Sequence, residues 1–156
     1  MTAPHPDGFR LLVAGFLARR ENPNTRDAYA RDLAELARGL GLPLDALPTA
    51  TEYETAFGVE DRPDAAAAAA PVAALPATWL TAWRARLQGR PATRRRRVAA
   101  ARAFARWVSR SFSVANPAAE LRPPGGSTGQ ERLQREMVAL APAAARALCE
   151  AARARP

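Results

Sequence analysis

The sequence lacks several residue types on which common functional sites depend. It contains a single cysteine, Cys149, and a single histidine, His5, in 156 residues. One cysteine excludes an internal disulfide and a zinc site built from several cysteines, and it is typical of a reducing compartment. One histidine in a proline-rich N-terminus cannot act both as a catalytic base and as the group that orients it. Metal-ligand spacing and a glycine-rich phosphate loop are also missing, so we expect no metal, no cofactor and no catalytic centre.

Long apolar runs are missing as well. No stretch approaches the ~20 apolar residues of a membrane-spanning helix, and the N-terminus lacks the basic-then-apolar order of a signal peptide. We therefore expect a soluble, cytoplasmic protein without a membrane partner. Its 156 residues allow one compact domain and a tail, but not two full-sized domains.

Lysine is absent, so all 23 basic residues are arginines, and the formal net charge is +8. A positive field of this size favours nucleic acid, an anionic membrane or an acidic protein as the partner. The charge is concentrated, because residues 65–119 contain ten arginines and no Asp or Glu.

Hydrophobic periodicity predicts two helices in the first 41 residues. The first covers residues 9–17, with Asp7 as its N-cap. The second is capped by Asn22, has Pro23 at its first position and ends near Gly39.

Two further helices are predicted after residue 78. The third covers residues 79–87 and is ended by Gly89, and the fourth begins near Pro91. The apolar face of the fourth helix contains Val98, Ala101, Phe104, Ala105, Val108 and Phe112. Its basic stripe contains Arg95, Arg102, Arg106 and Arg110.

Residues 43–73 combine several prolines, an acidic patch and six consecutive alanines. Such a composition buries little apolar area, so we predict a long connection with a flexible insertion at 49–73, in which the alanines form at most a transient helix. A Pro/Gly/Ser linker is predicted after residue 116, followed by a short helix around residues 143–152.

Four consecutive arginines, at 94–97, begin the fourth predicted helix in the segment GRPATRRRRVAAARAFARWV. Most charge runs are solvated faces, but four successive residues span about 300° of a helix and cannot share one face. We expect this first turn to project beyond the core, with all four side chains reaching outward. Guanidinium groups, exposed backbone N–H groups and the helix dipole would then suit phosphate contacts. The alternative is a helical interaction module whose basic face docks an acidic protein or a recombinase complex.

Two separated motifs extend this interpretation. The first, FLARRENPNTRDAYARDLAEL, follows the pattern Thr-x-x-x-Tyr-x-x-Asp-Leu with Thr25, Tyr29, Asp32 and Leu33. The second, PATRRRRVAAARAFARWVSRSFSVANPAAELRPP, contains in order Thr93, Arg96, Arg97, Ala99, Ala100, Ala101, Arg102, Phe104, Asn116 and Pro117. Their order, spacing and closing Asn-Pro turn resemble the N-terminal SAM-like, or core-binding, domain of tyrosine recombinases, the phage integrase and Xer family. The resemblance covers residues 9–124.

The resemblance implies an all-α fold, a four-helix SAM-like core-binding bundle over residues 1–124. Residues 125–156 would then be a linker and the start of a truncated catalytic domain, including the short helix. The implied function is binding to double-stranded DNA during DNA integration or recombination, beside other recombinase subunits. The starts of the second and fourth helices would face the major groove. The residues implied in DNA contact are Asn24, Thr25, Arg26, Arg94, Arg95, Arg96, Arg97 and Arg102.

Catalysis by this chain is not implied. The family uses a tyrosine nucleophile in its catalytic domain, and neither Tyr29 nor Tyr53 lies in such a context. We therefore expect a protein that binds DNA without cleaving it and that takes no small-molecule substrate.

Overall fold

The computed structural model describes residues 4–42 and 48–124, and this part of the chain is all-helical. Its six α-helices are α1 (Pro6–Ala18), α2 (Pro23–Gly39), α3 (Ala50–Ala56), α4 (Pro63–Ala73), α5 (Ala77–Arg86) and α6 (Pro91–Phe112). A 3-10 turn, Val59–Asp61, lies between α3 and α4. The predicted all-α class is confirmed for these residues. The linker and short helix predicted within 125–156 lie outside the described residues.

The start of α2 agrees with its sequence signals. The Asn22 side-chain oxygen accepts hydrogen bonds from the backbone N–H groups of Asn24, at 2.9 Å, and Thr25, at 3.4 Å. Pro23 occupies the first helical position, where its missing N–H is not needed. The helix ends at Gly39, as the glycine pattern predicts.

The start of α1 differs from the prediction. Asp7 is not the N-cap, because the helix already begins at Pro6 and His5 occupies the cap position. Pro6 suits the first turn because it needs no hydrogen-bond acceptor there. Asp7 instead lies inside the first turn, where a negative charge interacts favourably with the helix dipole.

Helix α1 is the centre of the core and contacts α2, α3, α4 and α6. Its Phe9 and Phe16 rings pack edge-on against Phe104 of α6, with centroids 5.5 and 5.6 Å apart. The predicted apolar face of α6 is confirmed, since Val98, Ala101, Phe104, Ala105 and Val108 are all buried and Phe112 packs against the core.

The prediction of a long connection with little buried apolar area is wrong for residues 49–73. These residues form α3, the 3-10 turn and α4, and Val59, Ala65 and Ala69 are fully buried. The alanines bury apolar area here because the backbones of α4 and α1 lie close together. A Cβ added to Gly8 of α1 would lie only 2.8 Å from the Ala68 Cβ. Helix α4 packs against both α1 and α6.

An ion pair holds α3 on α1. Arg10 donates from Nε and Nη2 to the Glu52 carboxylate at 2.5 and 2.9 Å. Glu52 also accepts from the Thr49 backbone N–H in a capping box at the start of α3. Hydrogen bonds from Arg10 and from the Thr49 backbone lower the pKa of Glu52 to about 2.

Candidate nucleic-acid interface

A face of α6 separate from its buried face carries an arginine stripe. Arg102, Arg106 and Arg110 recur at intervals of four residues and therefore lie along one face. Arg106 and Arg110 are exposed, Arg102 is half-buried, and none of the three forms an ion pair within residues 4–42 and 48–124. At ~1.5 Å per residue, the predicted stripe from Arg95 to Arg110 extends roughly 22 Å. Helix α6 contains no carboxylate, so this positive charge is not compensated along the helix itself.

The first turns of α6 pack against α2 through an ion pair between the two sequence motifs. Arg96 donates from Nε and Nη2 to the two Asp32 carboxylate oxygens at 2.9 and 3.0 Å. Asp32 is 2% exposed, whereas the Arg96 side chain is 52% exposed. The hydrogen bonds to Asp32 raise the pKa of the Arg96 guanidinium above its usual value. Arg96 therefore supplies the counter-charge of a buried carboxylate while part of its side chain still faces solvent.

The expectation that all four arginines of the run reach outward is wrong. Besides Arg96, Arg97 turns back toward the preceding loop and donates from Nη1 to the Gln88 carbonyl at 2.9 Å. Arg94 and Arg95 are half-buried, and the Arg94 Nε is a buried donor with no acceptor in the described part of the chain. The reason is the packing of α2 and of the α5–α6 loop beside this turn, which a helical projection of α6 alone does not include.

The start of α2 has two exposed polar residues and one restrained arginine. Asn24 and Thr25 are exposed. Arg26 donates from Nη2 to the Arg20 carbonyl at 2.6 Å, and its guanidinium lies 4.7 Å from the Tyr53 ring centroid. Arg26 thus connects the end of α1 to α3.

The predicted site residues at the start of α2 and those in the arginine run 94–97 of α6 form two separate groups. Helices α2 and α6 run antiparallel, because Asp32 meets Arg96 near the start of α6 while Tyr29 stacks on Phe16, which contacts Trp107 farther along α6. The start of α2 therefore lies beside the second half of α6. It is separated from the Asp32–Arg96 pair by eight residues, or roughly 12 Å along α2.

A groove between the end of α1 and the second half of α6 brings together further basic residues. We call it the arginine groove; it has a volume of about 420 Å³ and is lined by Arg19, Arg20, Ala103, Arg106, Trp107, Arg110 and Ser111. None of its arginines is among the site residues implied by the resemblance. The i, i+4 spacing of Arg106 and Arg110 is visible in the sequence, but their proximity to Arg20 depends on how α1 packs against α6.

No family model, curated protein or solved structure matches this chain.

The described residues contain neither a metal-binding cluster nor a single helix that could cross a membrane. Within 4–42 and 48–124, no group of three or more His, Cys, Asp or Glu side chains could hold a metal ion. No single helix there is long and apolar enough to cross a membrane; α4 and α5 meet that criterion only as a pair bent by 75°. The arginine stripe and groove suit a different task, which is the binding of closely spaced anions.

Proposed function

We propose that this chain binds double-stranded DNA as the SAM-like core-binding domain of a tyrosine recombinase, in DNA integration or recombination beside other recombinase subunits. The observation that carries the proposal is the arginine stripe of α6, where Arg102, Arg106 and Arg110 have no carboxylate partner in the described residues. A surface of uncompensated guanidinium groups releases condensed counterions from DNA when it binds, which favours association.

In this proposal, α1, α2, α5 and α6 correspond to the four predicted helices of the domain, and α3 and α4 are additional elements, of which α4 packs on both α1 and α6. Phosphate contacts from the stripe position the domain on the duplex. Arg96 has a defined orientation because Asp32 holds two of its donors, and half of its side chain is exposed. Any arginine that reads a base would do so by bidentate hydrogen bonds to guanine.

The proposal includes binding without cleavage. Tyr29 stacks on Phe16 with centroids 6.0 Å apart, and Tyr53 lies under the Arg26 guanidinium. Burial raises the pKa of Tyr53, which opposes formation of the phenolate. Both tyrosines thus have packing roles that argue against a nucleophile.

Duplex binding over a salt series tests the proposal. We expect log K to fall steeply as log salt rises, with a slope of about −0.9 per phosphate contact. The variant R95Q/R102Q should weaken binding and flatten this slope by up to about 1.8. R38Q/R86Q removes the same charge from exposed positions at another groove, lined by Glu35, Arg38, Gly39, Trp83, Arg86 and Leu87, and is the matched control.

Three results would count against the proposal. They are absence of duplex binding at low ionic strength, binding that does not respond to salt, and equal losses in the two variants. A covalent protein–DNA adduct or a nicked product would contradict the non-catalytic assignment. A partner that is captured from extract and survives nuclease treatment would instead favour the acidic-protein alternative.

A further inference from the structure

The arginine groove contains a guanidinium whose position is set by aromatic rings. The Arg20 guanidinium carbon lies 4.6 Å from the Phe16 ring centroid and 5.4 Å from that of Tyr29. Such cation–π contacts contribute about 0.5–2 kcal/mol and restrict the orientation of the side chain. The Arg20 Nε is buried and has no acceptor among residues 4–42 and 48–124. This arginine is thus held in place while its charge has no carboxylate partner there.

Two arginines of α6 face the same groove. Arg106 and Arg110 are four residues apart, so their side chains lie one above the other, about 6 Å apart along the helix axis. Both are exposed. Of the groove's four arginines, only Arg19 pairs with a carboxylate in the described residues, that of Glu60.

We infer that the arginine groove is a phosphate-binding site that takes two linked phosphate groups, with Arg20, Arg106 and Arg110 as the binding cations. The identification of these phosphates as neighbouring groups of a DNA backbone rests on the proposed function. The site lies beside the start of α2 and so extends the proposed interface from the stripe of α6 to the end of α1.

Phosphate is favoured over a carboxylate by the number and shape of the donors. A guanidinium presents a planar fork of N–H groups that matches two phosphate oxygens. Three such groups without carboxylate partners match the charge of two phosphates better than that of one carboxylate. Ser111 also lines the groove, and a serine hydroxyl can donate a hydrogen bond to a phosphate oxygen.

Pyrophosphate is a direct probe, and the indole N–H signals of the tryptophans report where it binds. Trp107 lines the arginine groove, whereas Trp83 lines the groove of Arg38 and Arg86. The indole nitrogens of both are buried without an acceptor in the described part of the chain, which makes them matched reporters. In an NMR titration of the 15N-labelled chain at low ionic strength, we expect a saturable shift of the Trp107 signal and little change at Trp83.

Charge removal gives the second readout. R106Q/R110Q should weaken pyrophosphate binding at least about tenfold, the expected effect of losing two charged hydrogen bonds. R38Q/R86Q should change it less than about twofold, since it leaves the site intact. R20Q tests the cation held against the aromatic rings, and because Arg20 contacts core rings the folding of this variant is checked by circular dichroism. R106Q/R110Q changes only exposed side chains, so it still tests the site if R20Q is unstable.

The outcomes separate this inference from the proposed function. Equal shifts at both tryptophans, or equal weakening in R106Q/R110Q and R38Q/R86Q, would overturn the phosphate site. If pyrophosphate binds as expected and the salt slope for duplex DNA falls by about 1.8 in R106Q/R110Q, the bound phosphates are those of the DNA backbone. If wild-type binding to duplex DNA depends on salt and R106Q/R110Q has the same salt slope, the assignment of the bound phosphates to the DNA backbone is refuted. Saturable pyrophosphate binding by a wild-type chain that binds no duplex would support the site and refute the proposed function.

Discussion

Removing Arg96 from the Asp32–Arg96 ion pair should destabilise the protein more than removing Asp32. Removing the guanidinium in R96A leaves a carboxylate that is 2% exposed without its counter-charge. Breaking a buried ion pair in this way costs about 3–5 kcal/mol. Because the Arg96 side chain is 52% exposed, solvent already screens the pair, and we expect about 3 kcal/mol, the lower end of this range.

Removing the carboxylate in D32A has a smaller expected cost. The Arg96 guanidinium can then extend into water, so no buried charge is left behind. Water then replaces both hydrogen bonds to the guanidinium, so the loss is limited to the net attraction of a partly exposed ion pair and a small cavity, about 2 kcal/mol in total. The double variant D32A/R96A should be more stable than R96A alone, because it no longer buries an unpaired carboxylate.

Urea unfolding followed by far-UV circular dichroism measures these differences, provided that the m-values agree among variants. R106A, an exposed substitution on the same helix, is the control and should change stability by no more than about 0.5 kcal/mol. The reasoning is refuted if R96A costs no more than R106A, or if D32A is the more destabilising of the two single substitutions.

Three further predictions concern packing, pH and capping. G15A should lower the free energy of unfolding in urea by about 1–3 kcal/mol, because the added methyl group would overlap the Val59 side chain. Adding V59A to G15A should recover part of this loss. Equal stability of G15A and wild type would contradict the packing of the 3-10 turn on α1. Since the pKa of Glu52 falls from 4.5 to about 2 on folding, the stabilisation from its pair with Arg10 is present above pH 4.5 and is lost toward pH 2. The difference in melting temperature between wild type and E52Q should therefore shrink over that interval, and a constant difference would refute this cause. N22A should cost about 1 kcal/mol and N22S less, as measured by thermal unfolding, and identical losses would argue against the cap.

Local signals predicted α2 and α6 well. The preference of Asn22 for the N-cap and of Pro23 for the first helical position follows from their own side chains. The start of α2 therefore depends on few other residues. The apolar face of α6 follows from a period of 3.6 residues with large differences in polarity between its two sides. The resulting burial of Val98 and Val108 agrees with the projection.

The segment 49–73 was mispredicted because alanine provides little periodic contrast. Six consecutive alanines look the same on every face of a helix, so the sequence does not indicate which of them are buried. Burial of Ala65 and Ala69 depends on the missing side chain of Gly8, which lets α4 approach α1 closely. The close contact between Gly8 and α4 thus joins residues that are more than fifty positions apart in the sequence.

The sequence by itself determined the helical class of the described residues, the start of α2 and the presence of an acid-free basic face on α6, because these follow from local propensity, periodicity and composition. Only the tertiary structure decided which arginines have partners. Arg96 meets Asp32 because α2 packs antiparallel to α6, while Arg106 and Arg110 meet Arg20 across a groove. Charge pairing acts over a few ångströms, and those distances are set by the packing of helices and not by the order of residues along the chain.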